Sequence, residues 1–290
     1  MKIGVVFPQT ELGRDRGAVR SYAQAVTELG YTHILIYDHV LGADPTVHQH
    51  WRGPYDIATT FHEPLVVFGH LAAITPLELV TGIIIGPQRQ TALLAKQAAE
   101  VDVLTDGRFR LGLGIGWNAV EYESLGQDFH TRGKRLDEQI ELLRTLWTVE
   151  SVTFGGRFDE VLGAGLCPLP VQQPIPIWVG GSSPGAYRRV GRFADGWFPQ
   201  VRPGADLDDA LSIVAAAATE AGRDPAAIEM EGRVTWVPDD EAKLQRQVDK
   251  WRDAGASHLT INTMNTGLGG VDGHVAALTR TADMLSLAVS

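Results

Sequence analysis

The sequence has one cysteine, Cys167, in 290 residues, so no disulfide forms within the chain. This fits a reducing compartment, and the thiol is expected to take no part in chemistry. Long apolar runs are missing too. No stretch approaches the roughly 20 apolar residues of a membrane span. The opening MKIGVVFPQT carries no cleavage-site pattern and reads as a first strand. The expected location is therefore cytoplasmic, with no membrane partner. Positive charge is scarce: 25 Lys and Arg stand against 35 Asp and Glu, a net charge of -10. That argues against a nucleic-acid partner, and the only dense basic cluster, Arg188 to Phe193, is short. Metal-ligand spacing is absent. His39, His48, His50 and His62 fit no metal pattern, so no metal is expected. GGSSPG, residues 180–185, lacks the spacing of a G-x-S-x-G nucleophile elbow.

What the chain does have is 44% hydrophobic residues, enough for a large core. They fall into strand-like and helix-like segments that alternate from end to end. KIGVVFP (2–8), HILIYDH (33–39) and IPIWVGG (175–181) read as strands. Residues 18–30 read as a helix, with Val19, Tyr22, Val26 and Leu29 on one face and Gly30 as C-cap. Eight strand–helix units predict an α/β fold, a (β/α)8 TIM barrel in a single domain over residues 1–290. An irregular insertion, 151–174, separates helix 4 from strand 5 and holds a candidate hairpin around Gly155 and Gly156. The last helix is expected over 271–289. The loop 40–59, rich in Gly, Pro, His and Trp, is long enough to be functional.

In such a barrel the chemistry gathers at the C-terminal ends of the strands. Those ends supply glycines, aromatics, amides and one acid–imidazole pair, Asp38 and His39. The pair reads either as a polar cap on the barrel mouth or as a proton-moving group, since a histidine titrates near neutral pH. VGGSSPGAYRRVG, 179–191, runs from a strand through two glycines and two serines into a helix. Bare N–H groups, hydroxyls and a helix N-terminus make an anion site, most naturally for phosphate. The alternative is a tight turn with Ser182 or Ser183 as N-cap. LGLGIGWN, 111–118, has glycine at every second position, which leaves room for a flat ligand or for neighbouring side chains. As a dinucleotide signature it lacks the closing G-x-x-G.

Taken in order, GVVFP (4–8), YDHV (37–40), the segment 77–118, RLDEQIELLRTLW (135–147), the segment 174–199 and AGASHLTI (254–261) resemble the luciferase-like monooxygenase superfamily, in its deazaflavin-dependent branch. The resemblance implies a cofactor at the barrel mouth, coenzyme F(420) or, alternatively, FMN. It implies that Gly180, Gly181 and Ser182 grip the cofactor phosphate, that Asp38 helps bind the cofactor and that His39 sits by its reactive face. It implies a non-proline cis peptide at Gly82–Ile83 behind the cofactor. Gly116 and Asn118 are further expected cofactor contacts. Some relatives carry a glutamate where this chain has Trp117, and Glu121, one helical turn beyond, is expected to be a poor substitute. Trp51, Trp117, Trp197 and Phe198 are expected to line a substrate pocket. The expected activity is hydride transfer between the deazaflavin and a small organic substrate, with His39 moving the proton. The alternatives are an FMN-dependent monooxygenase and a non-redox barrel that binds a phosphorylated metabolite. Relatives are often dimers, so a homodimer is the expected assembly.

Overall fold

Short apolar runs buried on both faces need helices outside and side chains inside, and here they close into a parallel barrel. The structure, a computed structural model, describes residues 1–288. The strands are β1 (Lys2–Val6), β2 (His33–Ile36), β3 (Glu78–Thr81), β4 (Ile84–Ile85), β5 (Phe109–Gly114), β6 (Val152–Gly155), β7 (Glu160–Ala164), β8 (Ile177–Gly181), β9 (Gly196–Pro199), β10 (Glu229–Thr235) and β11 (His258–Asn262). The helices are α1 (Gln9–Leu12), α2 (Arg16–Glu28), α3 (Pro64–Leu71), α4 (Thr91–Leu104), α5 (Ala119–Ser124), α6 (Arg132–Thr148), α7 (Pro184–Phe193), α8 (Ala205–Glu220), α9 (Glu241–Asp253) and α10 (Gly270–Leu285). β3 and β4 are halves of one strand, which makes the ring eight-stranded, and the pairing of β3 with β5 closes it. No helix among the described residues is long and apolar enough to cross a membrane.

Several boundaries differ from the sequence reading. α3 stops at Leu71 instead of running to Thr75, and the short α5 was not expected. α10 ends at Leu285, and Val289, where the expected helix stopped, lies outside the described residues. The insertion carries the antiparallel hairpin β6–β7 where Gly155 and Gly156 suggested one. Its turn is held by Glu138, which accepts from the N–H groups of Arg157, Phe158 and Asp159 at 2.7, 2.8 and 2.9 Å.

The break between β3 and β4 shapes the barrel mouth. The Gly82–Ile83 bond there is cis. Below it Leu79 and Val80 pair with Phe109 and Arg110; above it Ile84 and Ile85 pair with Leu113 and Gly114. Thr81 bridges the gap, its Oγ1 accepting from Gly112 N at 2.8 Å and donating to Gly112 O at 2.9 Å. Only glycine fits at 112, because a Cβ would lie 1.9 Å from the Thr81 carbonyl oxygen. A Cβ on Gly114 would meet the Ile83 side chain at 2.5 Å. Two of the alternate glycines, Gly112 and Gly114, therefore make room for neighbouring groups.

The lower end of the barrel is filled with charge instead of hydrocarbon. Arg110 reaches Glu78 at 3.0 Å and Glu231 at 2.8 Å, and lies 4.2 Å from the centre of the Trp178 ring. His33 Nε2 is 3.0 Å from Glu231, and the His258 ring packs edge-on against His33 and Trp178. Burial opposes the Glu231 carboxylate, but His33 and Arg110 outweigh it and hold the group down at about 2. Burial, then the charges of Arg110 and His33, push His258 down to about 3. Both groups are depressed, so their contribution is present above their unfolded values and is lost as the pH falls. The loss begins with His258 below about 6.5, and Glu231 joins it below about 4.3. We expect stability to drop by up to about 1.4 kcal/mol per pH unit from His258 alone. Thermal melts between about pH 7 and about pH 5 check this, and His258→Gln should flatten the slope. An unchanged slope in that variant would place the acid sensitivity elsewhere.

Candidate active site

His39 follows β2 at the upper rim, where the chain turns from buried strand to loop. Its ring is boxed by Phe61, Tyr55 and Trp117, with centroids 4.8, 5.4 and 5.4 Å away. Its Nδ1 lies 3.3 Å from Oε2 of Glu121. Glu121 is fully buried and also accepts from Gln88 Nε2 at 3.0 Å, from Leu41 N at 3.0 Å and from Val40 N. Burial pushes this carboxyl up, but the bonds from His39, Gln88, Leu41 and Val40 prevail and hold it below its ordinary value. An ionised carboxylate only accepts, so Nδ1 carries a proton and donates it to Glu121, which leaves Nε2 as the ring nitrogen available to a ligand. Nε2 makes no hydrogen bond to the described residues.

This corrects the expectation that Glu121 is a poor partner. The sequence shows only a local pattern here, which does not lead to His39. Asn118 caps α5, its Oδ1 accepting from Glu121 N at 3.2 Å, and N-x-x-E is the spacing of a capping box. Here the glutamate turns away from its own cap and bonds the loop after β2. Asn118 itself is occupied as a cap, and its Nδ2 donates to Leu41 O at 3.2 Å. Both polar atoms of its side chain thus bond within the protein, and the residue lines a smaller cavity beside His39.

Asp38 points the other way along the rim. One oxygen accepts from Ile85 N at 3.1 Å, and the other meets Arg89 at 2.8 Å, which in turn reaches Glu63 at 2.9 Å. Burial raises the Asp38 carboxyl above its ordinary value even with Arg89 beside it. Both oxygens are thus engaged within the protein, tying the β2 end to β4. Asp38 lines the cavity, but its hydrogen bonds go to the scaffold.

The mouth opens into a cavity of about 560 Å³, bounded by Ile83 and Gly114 on one side and by Gly180, Gly181 and Ser182 on another. That volume lies in the range of about 300–1,000 Å³ usual for ligand sites. The rim around β8 tests whether a phosphate-bearing cofactor fits. A Cβ on Gly180 would lie 3.1 Å from Ile83, and one on Gly181 would lie 2.5 Å from Ala186. The backbone is thus bare where α7 begins. Ser183 Oγ caps that helix by accepting from Ala186 N at 3.2 Å, while Ser182 is exposed. Ser183 thus takes the N-cap role, and the Ser182 hydroxyl is left without that task. The glycine cradle, the free hydroxyl and the helix N-terminus suit a phosphate.

A second cavity, of about 300 Å³, lies under the loop after β2 and shares His39, Tyr55 and Trp117 with the first. The aromatics expected to line a pocket divide. Trp117 lines both cavities. Trp51 lies behind it, ring centres 5.4 Å apart, with Nε1 donating to Tyr55 O. Trp197 and Phe198 need correction. Adjacent residues on a strand face opposite ways. Trp197 turns outward onto Tyr187 of α7, while Phe198 turns inward beneath the mouth, against Trp178. Neither lines either of these two cavities. Gly82 and Gly116 do. Phe61, Gln88 and Arg233 were given no role from sequence. Nothing local marks them, since each matters only through a partner distant in the chain.

Comparison with known proteins identifies several relatives. An F(420)-dependent hydroxymycolic acid dehydrogenase of Mycobacterium tuberculosis is 30% identical over 260 residues, covering 88% of this chain and 68% of the relative. An FMNH(2)-dependent dimethylsulfone monooxygenase of Pseudomonas fluorescens is 36% identical over 143 residues, 48% of this chain and 39% of that one. Among solved structures, an F(420)-dependent secondary alcohol dehydrogenase in complex with an F(420)–acetone adduct superposes with a TM-score of 0.79 at 17% identity, covering 98% of both chains. That likeness speaks for the fold alone. A family model described as luciferase-like monooxygenase matches residues 1–281. Every strand of the barrel and the whole rim fall inside that match, and the chain belongs to the luciferase-like monooxygenase family.

Proposed function

We propose that this single-domain barrel is a coenzyme F(420)-dependent oxidoreductase that moves a hydride between the deazaflavin and a small organic substrate. The broader class follows from family membership: an oxidoreductase or monooxygenase working with F(420) or a flavin, which sets aside the non-redox barrel. The observation that carries the finer reading is His39, with Nδ1 held by a buried carboxylate and Nε2 open at the junction of two cavities. Redox at an alcohol or carbonyl carbon moves a proton with the hydride. Both Asp38 oxygens bond to the scaffold, whereas His39 keeps Nε2 open at the rim to carry that proton.

The cofactor would be held at its phosphate by Gly180, Gly181 and Ser182, with Gly82, Ile83 and Gly116 along the cavity wall. When bound, a deazaflavin supplies a carbon in place of the flavin N5 and so favours two-electron transfer over reaction with dioxygen. His39 holds or releases a proton at Nε2, and Glu121 keeps that nitrogen facing the cavities. Phe61, Tyr55 and Trp117 exclude water around the ring.

FMN-dependent oxygenation is the second reading, favoured by the likeness to the dimethylsulfone monooxygenase. Parallel titrations with F(420) and FMN, followed by tryptophan fluorescence, separate the two. Trp117 lines the cavity and serves as reporter. Tight binding of FMN with no affinity for F(420) would overturn the proposal.

A further inference from the structure

One guanidinium in the larger cavity has no counter-ion among the described residues. Arg233, from β10, is the only Lys or Arg that lines it. Its Nη1 donates to Tyr37 Oη at 3.0 Å and its Nη2 to Gln200 Oε1 at 3.2 Å. Both partners are neutral, because burial pushes the Tyr37 hydroxyl up and keeps it protonated. Arg89, Arg110, Arg144 and Arg189 each face a carboxylate, whereas Arg233 makes no ion pair among the described residues. Glu231 lies two residues away on the same strand, but its oxygens are taken by His33 and Arg110. The Tyr37 ring lies 5.6 Å from the guanidinium carbon. Two bonds and an aromatic face therefore hold the cation in place, and little freedom is left to lose when an anion arrives.

We propose that Arg233 is an anion subsite of this cavity, separate from the phosphate cradle at Gly180–Ser182, and that it takes an oxygen anion carried on a ring or a carboxyl group. Two sources share that chemistry. Deazaflavin bears an acidic ring hydroxyl where flavin bears a methyl, and this source rests on the F(420) reading. The other source is a substrate carboxylate.

The test compares Arg233→Met with the charge-keeping Arg233→Lys, using F(420), FMN and benzoate as probes. Binding is read by tryptophan fluorescence, and the ionised fraction of bound F(420) by absorbance. If the ring hydroxyl is the anion, Arg233→Met weakens F(420) by about 10- to 100-fold and lowers its ionised fraction. FMN then stays within about twofold, and Arg233→Lys recovers most of the loss. If benzoate alone loses affinity, the anion belongs to the substrate and the subsite stands. Equal losses for F(420) and FMN would put Arg233 on the phosphate and overturn the proposal, as would no loss for any probe. If the wild-type protein binds FMN and not F(420), the deazaflavin reading fails, and the benzoate arm still decides the subsite.

Discussion

Replacing Glu121 by glutamine is expected to turn the His39 imidazole into its other tautomer and to lower kcat by about 10²–10⁴-fold. Each Glu121 oxygen has its own pair of donors. Oε1 receives the N–H groups of Val40 and Leu41, and Oε2 receives His39 Nδ1 and Gln88 Nε2. A glutamine keeps one accepting oxygen, and the two backbone donors will hold it. Its NH2 then faces His39 and Gln88. Gln88 adapts by flipping its amide, because its Oε1 is buried without a partner in the wild type. His39 adapts only by accepting at Nδ1, which moves its proton to Nε2, the nitrogen that faces the cavities. A neutral His39 can then no longer take a proton from substrate. Nitrogen-15 NMR of the His39 ring reads the tautomer directly, and turnover of any accepted alcohol reads the consequence. Cofactor affinity should change little, since Glu121 does not line the larger cavity. A Glu121→Gln enzyme with its Nδ1–H tautomer and full turnover would remove the glutamate from the mechanism.

Gly181→Asp should abolish useful cofactor binding, weakening both F(420) and FMN by more than about 100-fold. Gly181 has φ +154, and its missing Cβ would lie 2.5 Å from Ala186 Cβ, so any side chain presses on the first turn of α7. An aspartate adds a negative charge at the helix N-terminus, the place suited to the phosphate. The two costs act on the same few atoms. Ser182→Ala removes one exposed hydroxyl and is expected to cost only about fivefold. Titration of both variants, with circular dichroism to confirm folding, separates the cradle from a general loss of structure. Normal cofactor binding by Gly181→Asp would mean that the phosphate lies elsewhere.

Parts of the site were legible because they follow from local pattern. Gly180, Gly181 and the serines announce a strand-to-helix turn with bare N–H groups, and the turn lies where the pattern puts it. Asp38 and His39 end a buried run, and both reach the rim. Trp197 and Phe198 were misjudged together, since two neighbours on one strand cannot both face a cavity. For Asn118 and Asp38 the polarity was visible in the sequence, while their partners within the protein were not. Leu41, Ile85 and Arg89 satisfy them through the folded chain.

Alternation of apolar strands and amphipathic helices was enough to determine the barrel, the insertion after helix 4 and the end of the barrel where chemistry gathers. These are consequences of period and order, and period and order are written along the chain. The tertiary structure alone decided that His39 meets Glu121, 82 residues away, and that Arg233 meets Tyr37, 196 residues away. Such meetings depend on strand register, on ring closure and on which way each side chain turns. No stretch of sequence short enough to show a pattern contains both partners.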